Sequence, residues 1–222
     1  SDNVVSSSDC NWKITRTYSI SDGGCNTDSK TMSVSGSDQT APALAEGMSL
    51  PSGESDMDLC YAAIPSGPSA EEIKALYVDN CSEVTVTKSG EPTGDNCEWS
   101  VIYTYVIEDA CHNTTTATVS YSGSDQTAPA LTGTWPTNIT GQDNCFANAD
   151  TAGLKDDSEI KALYSDCSTI TVTHSDANTL TDDCGWTITR TYTIKDACGN
   201  TVTPAPAMSV SGSDQTAPAL NG

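Results

Sequence analysis

Positive charge is scarce in this sequence. Nine Lys and Arg stand against 30 Asp and Glu, a formal net charge of −21 over 222 residues. Nucleic-acid binding by phosphate neutralisation needs clustered Lys and Arg, so that class is excluded. Adhesion to an anionic membrane surface is disfavoured for the same reason. No apolar run approaches the roughly 20 residues that a spanning helix needs, so membrane insertion is not expected. The first residues lack the charged and apolar regions of a signal peptide. There is one Phe, there are two His, and no two of the ten Cys form a Cys-x-x-Cys pair.

What is present argues for order. Disorder driven by charge goes with few aromatic and β-branched residues. Here Thr, Val and Ile are abundant, with eight Tyr and four Trp. Ser and Thr dilute the charge along strands, which predicts an all-β fold with polar outer faces.

The sequence is internally repetitive. The word Gly-Ser-Asp-Gln-Thr-Ala-Pro-Ala-Leu occurs at 36–44, 123–131 and 212–220. Glu-Ile-Lys-Ala-Leu-Tyr occurs at 72–77 and 159–164. Cys-x-Trp followed by an alternating run places Trp12, Trp99 and Trp186 at intervals of 87 residues. Three words in one order at one period define a tandem array of about 87 residues per repeat. The expected division is 1–44, the C-terminal part of a repeat, then whole repeats at 45–131 and 132–222. That phase predicts a segment of a longer repetitive protein.

Each whole repeat reads as short strands and one short helix. Ser69 with Glu72, and Asp156 with Glu159, have the spacing of a capping box. Ile73, Leu76 and Tyr77, like Ile160, Leu163 and Tyr164, form an apolar stripe. A strand at 83–87 or 169–173 follows. Then Trp186, Ile188, Arg190, Tyr192 and Ile194 alternate with Thr, as do their counterparts from Trp99 and Trp12. Period two with large residues on one face marks a strand with one buried side. Asp196 to Asn200 reads as a turn. Several short strands between turn clusters predict an immunoglobulin-like β-sandwich.

Each whole repeat carries four cysteines, Cys60, Cys81, Cys97 and Cys111, then Cys145, Cys167, Cys184 and Cys198. No zinc spacing is present, so two disulfides per repeat in an oxidising compartment are expected. Cys184 and Cys198 bracket a run of extended residues, which at about 3.3 Å per residue separates them by roughly 30 Å. A disulfide needs Cα atoms within about 7 Å. If strands 169–173 and 186–194 pair antiparallel, Cys167 meets Cys198 and Cys145 is left with Cys184. The expected bridges are Cys81–Cys111, Cys60–Cys97, Cys167–Cys198 and Cys145–Cys184, with the partners of Cys10 and Cys25 outside the segment.

Tyr192 to Asn200 (Tyr-Thr-Ile-Lys-Asp-Ala-Cys-Gly-Asn), followed by Asp214 to Pro218, resembles the close of hyalin-type (HYR) immunoglobulin-like repeats. With four Cys and the Glu-Ile-Lys-Ala-Leu-Tyr helix, the pattern is similar to repeats of very large surface adhesins of Bacteroidota. Those proteins are exported by type IX secretion, and some serve gliding motility. Cys111-His112-Asn113 in place of Cys-Gly-Asn, and the longer turn Asp22 to Asn26, depart from the pattern. The resemblance implies an extracellular, cell-surface filament or adhesin stalk that projects a distal function. Its partners would be neighbouring repeats, other filament subunits or surface polysaccharide.

Catalytic signals are lacking. His112 and His174 recur as His in no other repeat, and no nucleophile elbow, phosphate loop or His-Glu-x-x-His motif occurs. No enzyme and no obligatory cofactor are therefore expected. Calcium is the one metal to weigh. Asp38, Asp125 and Asp214 of the linker word and Asp22, Asp109 and Asp196 of the preceding turn are its candidate ligands, set against a role in capping turns. Asp150-Thr151-Ala152 fits the Bacteroidota O-glycosylation pattern at Thr151. Asn113 and Asn138 begin N-glycosylation triplets that matter only in a host with that machinery. The alternative function is a carbohydrate- or protein-binding module, for which Tyr61, Trp135 and Phe146 are the candidate exposed aromatics.

Overall fold

The structure, a computed structural model, describes residues 2–220. It is all-β apart from short helical turns. Strands β1 (Asp2–Ser8), β2 (Asn11–Ser21) and β3 (Thr27–Gly36) form an antiparallel sheet in chain order, and β4 (Ala43–Leu44) follows. Next come β5 (Glu54–Asp58), a 3-10 turn (Tyr61–Ala63), α1 (Ala70–Lys74), β6 (Tyr77–Val78), β7 (Thr85–Ser89), β8 (Thr93–Asp95), β9 (Glu98–Glu108) and β10 (Thr114–Ser124). The same order recurs as β11 (Ala130–Leu131), β12 (Ile139–Asp143), a 3-10 turn (Phe146–Asn148), α2 (Asp157–Lys161), β13 (Tyr164–Ser165), β14 (Thr171–Asp182), β15 (Gly185–Lys195) and β16 (Ala207–Ser213).

Two larger sheets run in the orders β5-β10-β9-β7, with β8 also on β9, and β12-β16-β15-β14. Small sheets β4-β6 and β11-β13 complete the set. By contact, one compact unit is the chain up to Ser55 with Pro65–Thr93 and Ser100–Ser122. The other is Asp56–Ile64, Gly94–Trp99 and the chain from Gly123. These units do not follow the expected boundaries 1–44, 45–131 and 132–222: Asp56–Ile64 and Gly94–Trp99 belong to the second sequence repeat but cluster with the third.

Alternation builds the core. On β15, Trp186, Ile188, Tyr192 and Ile194 are buried, with Met208 and Val210 from β16 and Ile160, Tyr164, Ile170 and Val172 packed in the same cluster. A fully buried side chain of this size stabilises by about 1.5–3 kcal/mol. On β9, Val101, Tyr105 and Ile107 are buried likewise. Their counterparts Ile14, Tyr18 and Ile20 on β2 are exposed, Ile20 at 71%.

Both helices are only five residues long, too short to persist alone. Both carry the full capping box. Ser69 Oγ and Asp156 Oδ1 accept from the N–H of Glu72 and Glu159, whose carboxylates accept from the cap N–H in return. Ile73 and Ile160 are fully buried. Of the stripe, only the isoleucine lies inside the helix, and Tyr77 and Tyr164 open the next strand. Core tyrosines hold the segment leading into each helix: Tyr105 Oη donates to Pro68 O and Tyr192 Oη to Lys155 O, each at 2.6 Å.

Candidate functional site

The cysteines pair differently from expectation. The bonds are Cys10–Cys111, Cys97–Cys198 and Cys60–Cys167, with Cα atoms 4.9, 4.8 and 6.1 Å apart. Cys25, Cys81, Cys145 and Cys184 are free thiols. None of the expected bridges Cys81–Cys111, Cys60–Cys97, Cys167–Cys198 and Cys145–Cys184 forms, and the partner of Cys10 lies within the chain. The strand pairing behind that expectation is nevertheless present, since Thr171 faces Lys195 and Val172 faces Ile194 across β14 and β15. The pairing brings the loop at Ser168 against the turn at Ala197, whose N–H donates to Ser168 Oγ at 3.3 Å. Each loop is instead bonded to the preceding sequence repeat, which takes Cys167 to Cys60 and Cys198 to Cys97. The rule is that the third cysteine of one repeat joins the fourth of the next, 101 residues on in both instances.

The linker word is held beside these bonds by its own side chains. Asp38, Asp125 and Asp214 each fold the chain with Oδ1, which accepts from the N–H of Thr40, Thr127 and Thr216 at 2.9–3.1 Å. Their own N–H groups donate to the carbonyls of Asp9, Asn96 and Asp183, each next to a third cysteine. Asp58 then clamps the second linker, accepting from Gln126 N at 2.8 Å and Thr127 Oγ1 at 2.9 Å. Asp143 treats Gln215 and Thr216 in the same way. The Gln-Thr of the repeated word thus has a physical role that the sequence alone did not reveal.

The turn bearing the fourth cysteine is locked just as firmly. Asp109 accepts from Cys111 N and Asn113 N with Oδ1 and from Asn113 Nδ2 with Oδ2, at 2.7–2.9 Å. Asp196 does the same with Asn200. Burial works against the charge of Asp109, but the hydrogen bonds from Asn113 and Cys111 hold its carboxyl below the ordinary value. The asparagines also reach the preceding linker, Asn113 Nδ2 to Asp38 O at 3.4 Å and Asn200 Nδ2 to Asp125 O at 3.0 Å.

Carboxylates gather around these contacts. Oxygens of Asp38, Asp79 and Asp109 lie within 4.8 Å of one another, as do oxygens of Asp125 and Asp166 and the sulfur of Cys167. Asp109, Asp125 and Asp196 are buried, at 4, 6 and 3% exposure. Burial pushes the Asp125 carboxyl up, and Asp166 and Asp196 push it the same way. Asp79 and Asp166 were missed in the sequence, where their position two residues or one residue before the second cysteine was the only signal. Of the other candidate ligands, Asp22 is exposed and accepts from Gly24 N and Asn26 Nδ2. Asp214 is exposed.

Thr151 lies exposed in the turn after Asn148. Two of the three candidate binding aromatics are packed inward: Trp135 meets Tyr192 edge-on at 5.8 Å, and Phe146 lies 6.5 Å from Trp186. Tyr61 is partly buried, with its N–H donating to Asn96 Oδ1. His174 Nδ1 meets Asp157 Oδ1 at 2.5 Å, and His112 contacts Glu108. No described helix is long and apolar enough to cross a membrane.

No protein-family model matches the chain, and a search of curated proteins finds no match. Among solved structures, the crystal structure of mouse protocadherin-24 EC1-3 aligns over 91% of this chain and 79% of its own, at 13% identity and a TM-score of 0.28.

Proposed function

We propose that this chain is a structural repeat segment of an extracellular, cell-surface filament or adhesin stalk, built from immunoglobulin-like β-sandwich repeats of about 87 residues. Its role is to carry tension and to hold a distal function away from the cell, with no catalysis of its own. The observation that carries this reading is the covalent path. From Cys10 a disulfide leads to Cys111, the chain leads back to Cys97, and a second disulfide leads on to Cys198. A pull on the two ends therefore loads two S–S bonds and the segment 97–111, while the rest of the chain between Cys10 and Cys198 stays out of the load path. Disulfides of this kind belong to oxidising compartments, which supports an extracellular site.

The four free thiols follow the same rule. Cys25 corresponds in sequence to Cys111 and Cys198, Cys81 to Cys167, Cys145 to Cys60, and Cys184 to Cys10 and Cys97. Each would pair likewise with a repeat set next to it in an array. The charge of −21 is spread along the chain, and repulsion between like-charged repeats favours an extended stalk.

Single-molecule stretching of the oxidised and reduced chain tests the reading. At about 3.3–3.6 Å per freed residue, the reduced chain should lengthen in large steps and the oxidised chain should gain little between Cys10 and Cys198. Equal extension in both states would sink the proposal.

A further inference from the structure

We infer that two carboxylate clusters, Asp38 with Asp79 and Asp109, and Asp125 with Asp166, each bind a calcium ion. Clustered acids alone would not point to a ligand. The second observation is that Asp38 Oδ2, Asp79 Oδ1 and Asp125 Oδ2 are shut off from solvent and make no hydrogen bond. Buried polar oxygens are almost always paired, and an unpaired one costs about the full desolvation of the group. Among the described residues three such oxygens occur, and all three lie in these clusters, with Asp125 itself only 6% exposed. Turn capping and cation binding do not compete here, because Oδ1 of Asp38 and of Asp125 caps the turn while Oδ2 is the orphan.

The donor set selects the ion. Carboxylate oxygens suit a hard cation that accepts six to eight oxygens in irregular geometry. A softer metal would need the thiolate of Cys81 or the sulfur of Cys167. The latter is bonded to Cys60. Cys81 lies outside the group formed by Asp38, Asp79 and Asp109. Each ion would tie a linker aspartate to the loop before the second cysteine, and the first would also hold the Asp109 turn, closing contacts that Asn113 and Asn200 already make. The third linker supplies an internal control, because Asp214 is exposed.

Titration of the oxidised, metal-free chain with calcium by calorimetry provides the test, using Asp79→Asn, Asp166→Asn and Asp214→Asn. Asparagine keeps an oxygen for the caps that Asp79 gives Cys81 and Ser82 and that Asp166 gives Ser168, so the variants should fold. Two ions per chain are expected, with affinities in the ~10⁻⁴–10⁻³ M range of extracellular modules or tighter. Asp79→Asn and Asp166→Asn should each remove one ion, their combination both, and Asp214→Asn neither. Calcium near 10 mM should raise the melting temperature of the parent chain and not of the double variant. No binding at that concentration, binding that survives the double variant, or magnesium bound in preference would each overturn the inference. The stretching experiment is run without calcium, so either reading can fail alone.

Discussion

Gly212 lies opposite Trp186 across β15 and β16, so close that a Cβ on the glycine would stand 2.5 Å from Trp186 Cζ2. Gly123 and Gly36 meet Trp99 and Trp12 in the same way, at 2.6 and 2.5 Å. The glycine of the linker word and the tryptophan of the Cys-x-Trp word are thus two halves of one contact. Two of the indoles are anchored further: Trp99 Nε1 donates to Leu59 O and Trp186 Nε1 to Asn144 O, both at 2.8 Å. Gly212→Ala should destabilise the fold by about 1–3 kcal/mol, the usual cost of overpacking. Urea denaturation followed by tryptophan fluorescence would measure it, and a loss under ~0.5 kcal/mol would show that the indole and the Gln142 carbonyl, 2.4 Å from that Cβ, can both yield.

The disulfide pairing is directly checkable. Peptide mapping without reduction should recover Cys97 joined to Cys198 and Cys10 joined to Cys111, with no Cys167–Cys198 peptide. Replacing Cys97 and Cys198 together by Ser should cost about 2–5 kcal/mol, as expected for a long closed loop.

Asp156→Ala removes a cap whose Oδ1 receives both Glu159 N and Ser158 Oγ. A loss of about 0.5–2 kcal/mol in thermal or chemical denaturation is expected. Asp156→Asn should recover most of it, because the amide oxygen can still accept.

His112 stands in the left-handed region at φ 67° where its counterpart is Gly199 at φ 101°. His112→Gly should relieve that strain and stabilise by up to about 1 kcal/mol, read as a shift in the denaturation midpoint. Loss of the Glu108 contact works the other way, so Glu108→Gln is the control.

The same histidine carries a pH dependence. Glu108 raises the pKa of the exposed His112 through its hydrogen bond and its charge, slight desolvation works against this, and Asp109 adds to the rise. The folded value lies above the unfolded one, so the stabilisation is full below the ordinary histidine pKa of about 6.5 and is lost as pH rises through the higher folded value. NMR titration should show the elevation, and Glu108→Gln should bring it down. An unchanged value in that variant would remove Glu108 as its cause.

Much of the fold was legible in the residues because the relevant physics is local. Strict alternation from Trp186 to Ile194 required a strand with one buried face. Ser69 with Glu72, and Asp156 with Glu159, required helix starts whatever the helices pack against. The triple recurrence of the linker word set the order in which those elements return. Asp58 and Asp143 share a short Asp-x-Cys-aromatic-Ala pattern at the first cysteine, but it does not say what they bind, and only folding sets them against Gln126 and Gln215.

What tertiary structure alone decided was which cysteine meets which and where the carboxylates converge. The sequence by itself determined that ten cysteines come in a repeating set and that aspartates mark each linker and turn. It held no local signal for pairing, because a disulfide depends on Cα atoms brought within reach by strands and loops far apart in the chain. Cys167 and Cys198 end up at one edge of the β14–β15 pair, yet each is bonded to a segment from before the preceding linker. Asp79 joins Asp38 and Asp109 by the same folding. Burial then removes water from oxygens that the sequence shows only as acidic residues.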